Sequence, residues 1–258
     1  MICRCVSLVF LETVRVNISE ADSLQKVVQL RELLREQFPQ AHRPAPAALH
    51  PKVEAEDLGN PTFEPDTTQQ LLSGIPTLDG IGIPRNAITE IVSERSHSGL
   101  GLVLNALIRQ AAARDELFAL VDGLGSFDPL YLEPEIRPRL LWARSESAEQ
   151  AIKAADLLLR DGNIPTVALD LQLNDRREVR ALSSSCWYRL RNLVEEAGIT
   201  FVLFTSCETA PSAHLRLVLD WRFRLNAMDE LRGELERQIR ARVARSRVST
   251  APETRLSA

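Results

Sequence analysis

Lysine is nearly missing from this chain. Of its 31 basic residues only Lys26, Lys52 and Lys153 are lysines, so everything between Lys52 and Lys153 is without an ammonium side chain. Long apolar runs are missing too. The longest near the start, Val6 to Leu11, is far short of the roughly 20 residues needed to cross a bilayer. Glu12 and Arg15 follow it at once, with no small-residue cleavage site, so neither a membrane span nor a signal peptide is expected and a cytoplasmic location is. The four cysteines (Cys3, Cys5, Cys186, Cys207) form no CxxC pair and have no histidine at ligand spacing. Free thiols fit this pattern better than a zinc site or a disulfide framework, and no metal site is expected. No repeat of 20–50 residues is visible. An excess of positive charge is also lacking: 31 Lys+Arg face 35 Asp+Glu, a net charge of −4, so any contact with nucleic acid must be local.

What remains is a chain of 258 residues, 45% hydrophobic, with room for one α/β domain of roughly 170 to 200 residues and additional ends. Residues 1–18 carry no assigned element. In the block 19–38, Leu24, Val27, Val28, Leu34 and Phe38 recur at helical spacing, with Asp22 or Ser23 as N-cap and Pro39 beyond, which predicts an amphipathic N-terminal helix. Six prolines between Pro39 and Pro65 then mark 39–68 as a linker.

The block 69–226 has a different texture. Ala87–Val92, Leu117–Val121, Arg139–Trp142, Thr166–Leu171 and Ile199–Phe204 read as strands, and Gly99–Arg114, Glu146–Arg160 and Ser183–Ala197 as the helices between them. Such alternation predicts an α/β core, a mostly parallel sheet flanked by helices. From Leu215 to Phe223 apolar and polar residues alternate, as in a half-exposed strand at the sheet's end. Leu231, Leu235, Ile239 and Val243 then form an apolar seam, which predicts a C-terminal basic helix over 227–245, with 246–258 a disordered tail.

The strand Ile88–Val92 leads through Ser93, Glu94, Arg95, Ser96, His97, Ser98, Gly99, Leu100 and Gly101 into a helix. At such a strand–loop–helix junction, phosphate chemistry wants backbone amides, a lysine reaching the β and γ phosphates, and a hydroxyl for magnesium. The position is right and the side chains are not. Together with Leu72-Ser73-Gly74-Ile75-Pro76-Thr77-Leu78-Asp79, Asp128-Pro129-Leu130-Tyr131, Glu149-Gln150-Ala151 and the strand ending at Asp170, this loop resembles the ATPase core of RecA recombinases over roughly 70–222. The resemblance implies a RecA-like P-loop NTPase core, with Asp170 at the Walker B position and Asp128 and Tyr131 on the adenine side. Read without the resemblance, Asp170 is a strand-end cap, and Asp128 and Tyr131 shape their loop.

The family's lysine–threonine pair falls on Gly99-Leu100, or on Leu100-Gly101 with one residue inserted, and its catalytic glutamate falls on Leu124. No realignment supplies a lysine. Phosphoryl transfer depends on charge stabilisation at the transferring group, so the degenerate P-loop predicts no ATP hydrolysis, no catalytic residues and no required cofactor. The amides at Gly99 and Gly101 leave open the binding of ATP and magnesium without turnover. The two loops with which the family grips single-stranded DNA look curtailed, with about 28 residues between Asp170 and Ile199 and a short turn from Thr205 to His214. Arg176, Arg177, Arg180, Arg189 and Arg191 either meet phosphates or form a solvated helix face.

Residues 222–247 carry eight arginines and four acids, a charge of +4. Leu231, Leu235 and Ile239 with Arg232, Arg237, Arg240 and Arg242 either dock a partner or DNA, or pack back on the core with the arginines in solvent. The combination resembles the ImuA-type accessory proteins of damage-induced mutagenesis. That resemblance implies a non-catalytic adaptor in DNA repair and the SOS response, with RecA, a translesion polymerase-like protein or further copies of itself as partners. Two other readings stand beside it: an ATP-dependent single-stranded-DNA-binding recombinase-like protein, and a RecA-fold inhibitor of cell division.

Overall fold

The computed structural model describes residues 6–9, 15–18, 32, 36, 70–94 and 98–247. The linker 39–68, residues 248–258, the loop residues Arg95, Ser96 and His97, and nearly all of the helix expected over 19–38 lie outside these. In that block Glu32 and Glu36 are helical and exposed.

The strands are β1 (Val6–Val9), β2 (Arg15–Ile18), β3 (Gln70–Leu71), β4 (Ile83–Pro84), β5 (Ile88–Val92), β6 (Phe118–Asp122), β7 (Leu140–Arg144), β8 (Thr166–Asp170), β9 (Thr200–Thr205), β10 (Leu215–Leu219) and β11 (Ala241–Ser246). The helices are α1 (Pro76–Ile81), α2 (Leu100–Ala113), α3 (Ala148–Asp161), α4 (Arg176–Ala181), α5 (Ser184–Ala197) and α6 (Arg232–Gln238). Nine strands make one sheet in the order β11-β10-β5-β9-β8-β6-β7-β1-β2, and β3 pairs with β4 separately. From β10 to β7 every neighbouring pair is parallel, while β11, β1 and β2 join antiparallel at the two ends.

This arrangement follows from the sequence pattern. Strands β5, β6 and β9 are buried at every residue, as a parallel sheet covered on both faces requires. One face packs Ala151, Ala155, Leu158 and Leu159 of α3 and Trp187, Leu190 and Val194 of α5. The other packs Val103, Leu104 and Leu107 of α2 with Ile91, Phe204, Leu217 and Ile239. Ser147 caps α3 by accepting from Gln150 N at 3.3 Å, and glycines 162 and 198 end α3 and α5 in left-handed turns. The five expected core strands and three expected helices all form, with ends displaced by a residue or two.

The C-terminal part departs from expectation. β10 is buried along its length rather than half exposed, and it lies one strand in from the sheet's end. The alternation misleads because Arg216 turns to a buried carboxylate, not to water. The expected basic helix over 227–245 is a 3-10 turn (Leu225–Asp229), the seven-residue α6, and then β11 paired with β10. At Ile239 the backbone turns extended, which sends that side chain into the core and leaves the following residues to pair the open edge of β10. Leu231, Leu235, Ile239 and Val243 therefore share no face: Leu231 and Val243 are exposed, Ile239 wholly buried. Ser246, expected in the tail, closes β11.

The buried Ile239 yields a stability prediction. Ile239→Ala should lower unfolding free energy by about 2–5 kcal/mol, read as a shift in the urea midpoint at unchanged slope. A chain ending at Asn226 loses both this anchor and β11, and should unfold at still lower urea.

Candidate functional site

The loops at the carboxyl ends of β5, β6 and β8 meet on one side of the sheet, where an open α/β fold places its ligands. Ser93, just beyond β5, is buried and its N–H donates to Thr205 O at 2.9 Å. Glu94 is exposed and its carbonyl accepts from Arg176 Nη2 at 3.1 Å. Ser98 is buried, with no partner for its hydroxyl among the described residues. Gly99 caps α2 at φ 90°, a backbone that favours glycine. Gly99 is also covered: a Cβ there would lie 2.8 Å from Phe223 Cε2 and 3.4 Å from Ile239 Cγ1. Leu100 points into the core, and Gly101 faces open space.

These positions do not fit a magnesium nucleotide. Gly99 has no room for a side chain without moving Phe223, Leu100 is committed to packing, and neither Leu100 nor Gly101 offers a hydroxyl to a metal. Among the described residues no group of three His, Cys, Asp or Glu could hold a metal ion.

At the ends of β6 and β8, Asp122 and Asp170 are register partners. Asp122 is buried and accepts from Phe127 N at 2.8 Å, Trp142 Nε1 at 3.2 Å, Leu124 N at 3.3 Å and Ser126 Oγ at 3.4 Å. Its carboxylate therefore folds the loop 123–127. Among the described residues the Asp170 carboxylate accepts from Gln172 N alone, at 2.9 Å. Burial, opposed by that hydrogen bond and reinforced by the charge of Asp122, pushes Asp170 up to about 6. Gly123 binds the two strand ends together: its N–H donates to Asp170 O at 2.8 Å and its carbonyl accepts from Asn174 Nδ2 at 3.2 Å. A Cβ on Gly123 would fall 2.1 Å from Asn174 Oδ1. Leu124, at the family's glutamate position, is exposed next to these groups, as is Leu173.

At the positions that the resemblance assigns to the adenine side, Asp128 caps the turn Pro129–Tyr131 by accepting from Leu130 N at 2.9 Å, the loop-shaping role open to it from sequence. Leu130 and Tyr131 are exposed. Arg232 donates to Tyr131 O at 3.3 Å and pairs with Glu133 at 3.4 Å.

The arginines singled out in the sequence do not form one patch. Arg189 pairs with Asp156 at 2.5 Å, Arg191 with Glu195 at 2.6 Å, and Arg242 with Asp220 at 3.1 Å. Arg240 is spent on the carbonyls of Arg237 and Ile239. Arg177, Arg180 and Arg237 are exposed. Arg237 has Glu234 at 3.9 Å.

The second short loop rests on a group that sequence reasoning missed. Glu90, in the middle of β5 and fully buried, accepts from Arg216 Nε at 2.6 Å, Thr209 N at 2.7 Å, Ala210 N at 3.1 Å and Thr205 Oγ1 at 3.3 Å. Arg216 also pairs with Glu208 at 2.7 Å and donates to Ala210 O at 2.9 Å. The turn after β9 is thus tied to the sheet floor. A charge inside an apolar strand, Glu90 in one and Arg216 in another, was the available signal.

Asp170 gives the site a pH signature. Because its carboxyl titrates higher in the folded chain than its ordinary value of 3.8, the folded state holds the proton more tightly. Stability then falls as pH rises from about 4 through about 6, and the deficit is full above that. Asp170→Asn, which keeps the acceptor for Gln172, should stabilise the metal-free protein by up to about 3 kcal/mol at pH 7.5, with the gain vanishing near pH 4, as read from urea unfolding at both pH values.

No family model matches this chain. Its curated relatives are RecA proteins: 36% identity over 92 residues with RecA of Chlorobaculum tepidum, covering 34% of this chain and 26% of the relative. With RecA of Chlorobium chlorochromatii the identity is 34% over 111 residues, covering 40% and 31%. The chain thus matches about a quarter to a third of the length of these relatives. Among solved structures the RadB recombinase aligns with a TM-score of 0.47 and 16% identity over 58% of this chain and 82% of that one. In its matched sequence and its helix-flanked, mostly parallel sheet, the α/β domain of this chain is RecA-like.

Proposed function

We propose that this protein is a non-catalytic RecA-like component of the bacterial DNA-damage response, an adaptor between RecA and a translesion polymerase-like partner. The observation that carries the reading is the state of the phosphate loop. The two positions that would hold the lysine are a left-handed glycine under Phe223 and a core leucine, and no lysine is near in sequence. Leu124 stands where the acid would orient a water, and the turn after β9 is bound down by Glu90. A face so rebuilt suits contact with other proteins better than phosphoryl transfer. The exposed Leu225, Leu231 and Arg237, with the exposed Leu130 and Tyr131, supply apolar and basic groups for such contact.

Two measurements test this. Magnesium ATP with and without single-stranded DNA should show no turnover above background, whereas micromolar affinity with DNA-stimulated hydrolysis favours the ATP-dependent recombinase-like reading. Full-length protein should retain RecA and the polymerase-like partner in pull-downs from damaged cells. Arg237→Glu with Leu231→Ala should weaken partner retention without changing the melting temperature. Unaltered retention removes the C-terminal segment from the interface, and capture of a tubulin-like division protein instead supports the checkpoint reading.

A further inference from the structure

The segment from Phe223 to Ile239 is fastened to both loops that frame the loop face. At one end Phe223 and Ile239 lie over Gly99 at the start of α2, and Thr77 Oγ1 donates to Ile239 O at 2.8 Å. In the middle Glu236, itself largely buried, pairs with Arg109 of α2. Towards the other loop Arg232 reaches the Tyr131 carbonyl and Glu133. Within the segment Gln238 donates to Glu230, and Ala227 is buried. Half of the sixteen residues in it whose burial is described are exposed, and its firm apolar anchors are Phe223 and Ile239, packed on the core.

We propose that residues 223–239 are a cooperative strap that ties the Gly99 cap to the 128–133 loop, so that these two loops open and close as one unit. The physical ground is the length of α6. A seven-residue helix has almost no stability of its own, so it exists only while it is held at both ends. Releasing either end frays the whole segment and frees the loop at the other end. The strap thus adds, from the chain's own backbone, a second link between two loops whose buried Leu132 and Leu100 already share one apolar cluster. Two of its fastenings, Arg109–Glu236 and Arg232–Glu133, are partly exposed ion pairs that salt weakens. The proposal is independent of the adaptor role.

Hydrogen exchange on the full chain decides it. Phe223→Ala should speed exchange about fivefold or more in peptides covering 128–133 as well as 98–104, and Arg232→Ala should do the same at 98–104, the reciprocity that coupling demands. Glu236→Gln serves as a second variant should Phe223→Ala not fold, with the same double response. Peptides of β8 should stay at the wild-type rate, and 1 M salt should mimic the substitutions in the unaltered protein. The proposal is overturned if each substitution loosens only the loop it touches, or if exchange rises uniformly across the sheet.

Discussion

One buried ion pair sets the geometry on which the rest depends. Glu90 on β5 has no access to water, and Arg216 on β10 sits at its register partner position. A lone buried carboxylate is intolerable in an apolar sheet, and leaving one member of such a pair costs about 3–5 kcal/mol. A parallel pairing slid by one residue would turn Arg216 to the other face and strand both charges. The pair therefore specifies register more than it adds stability. By fixing β10 against β5 it fixes β11, which hangs on β10, and the segment that links them across Gly99.

Three carboxylates in this sheet meet very different surroundings. Glu90 and Asp122 are fully occupied, one by a guanidinium, a hydroxyl and two amides, the other by four donors that shape a loop. Burial disfavours the charged form of Asp170, the one amide of Gln172 only partly offsets this, and the like charge of Asp122 across the strands adds to it. The first two have become architecture. The third keeps a strand-end position with little compensation among the described residues.

Much of the core was legible because its signals are local and repeated. Five apolar strands bounded by turn residues and three amphipathic helices leave few alternatives. The lack of any lysine between Lys52 and Lys153 was legible directly from the residue types. What escaped were features in which one residue serves a distant partner. Arg216 mimics a solvent-facing strand position and is instead a buried counter-ion. Ile239 continues a helical seam in the sequence, yet the backbone bends there because a hollow beside Gly99 and α1 accepts its side chain better than another helical turn would. Periodicity cannot see either partner. Nor could it see that Gly123 must lack a side chain because Asn174 and the end of β8 crowd it.

The route taken by the C-terminal segment bears on how its arginines work. A free basic helix would lose conformational entropy on meeting a partner, whereas a segment already pinned at Gly99, Arg109 and Tyr131 presents Leu225, Leu231 and Arg237 in place. Pinning also changes what deletion means. Cutting the chain before this segment removes a core isoleucine, a sheet strand and the cover over the loop, so lost binding in a truncated chain speaks to folding as much as to contact. Substitutions at exposed tips leave the anchors alone. Arg242 is engaged by Asp220 and Arg240 by backbone carbonyls, which leaves Arg237, exposed and with Glu234 no nearer than 3.9 Å, the most available of the three to a partner's charge.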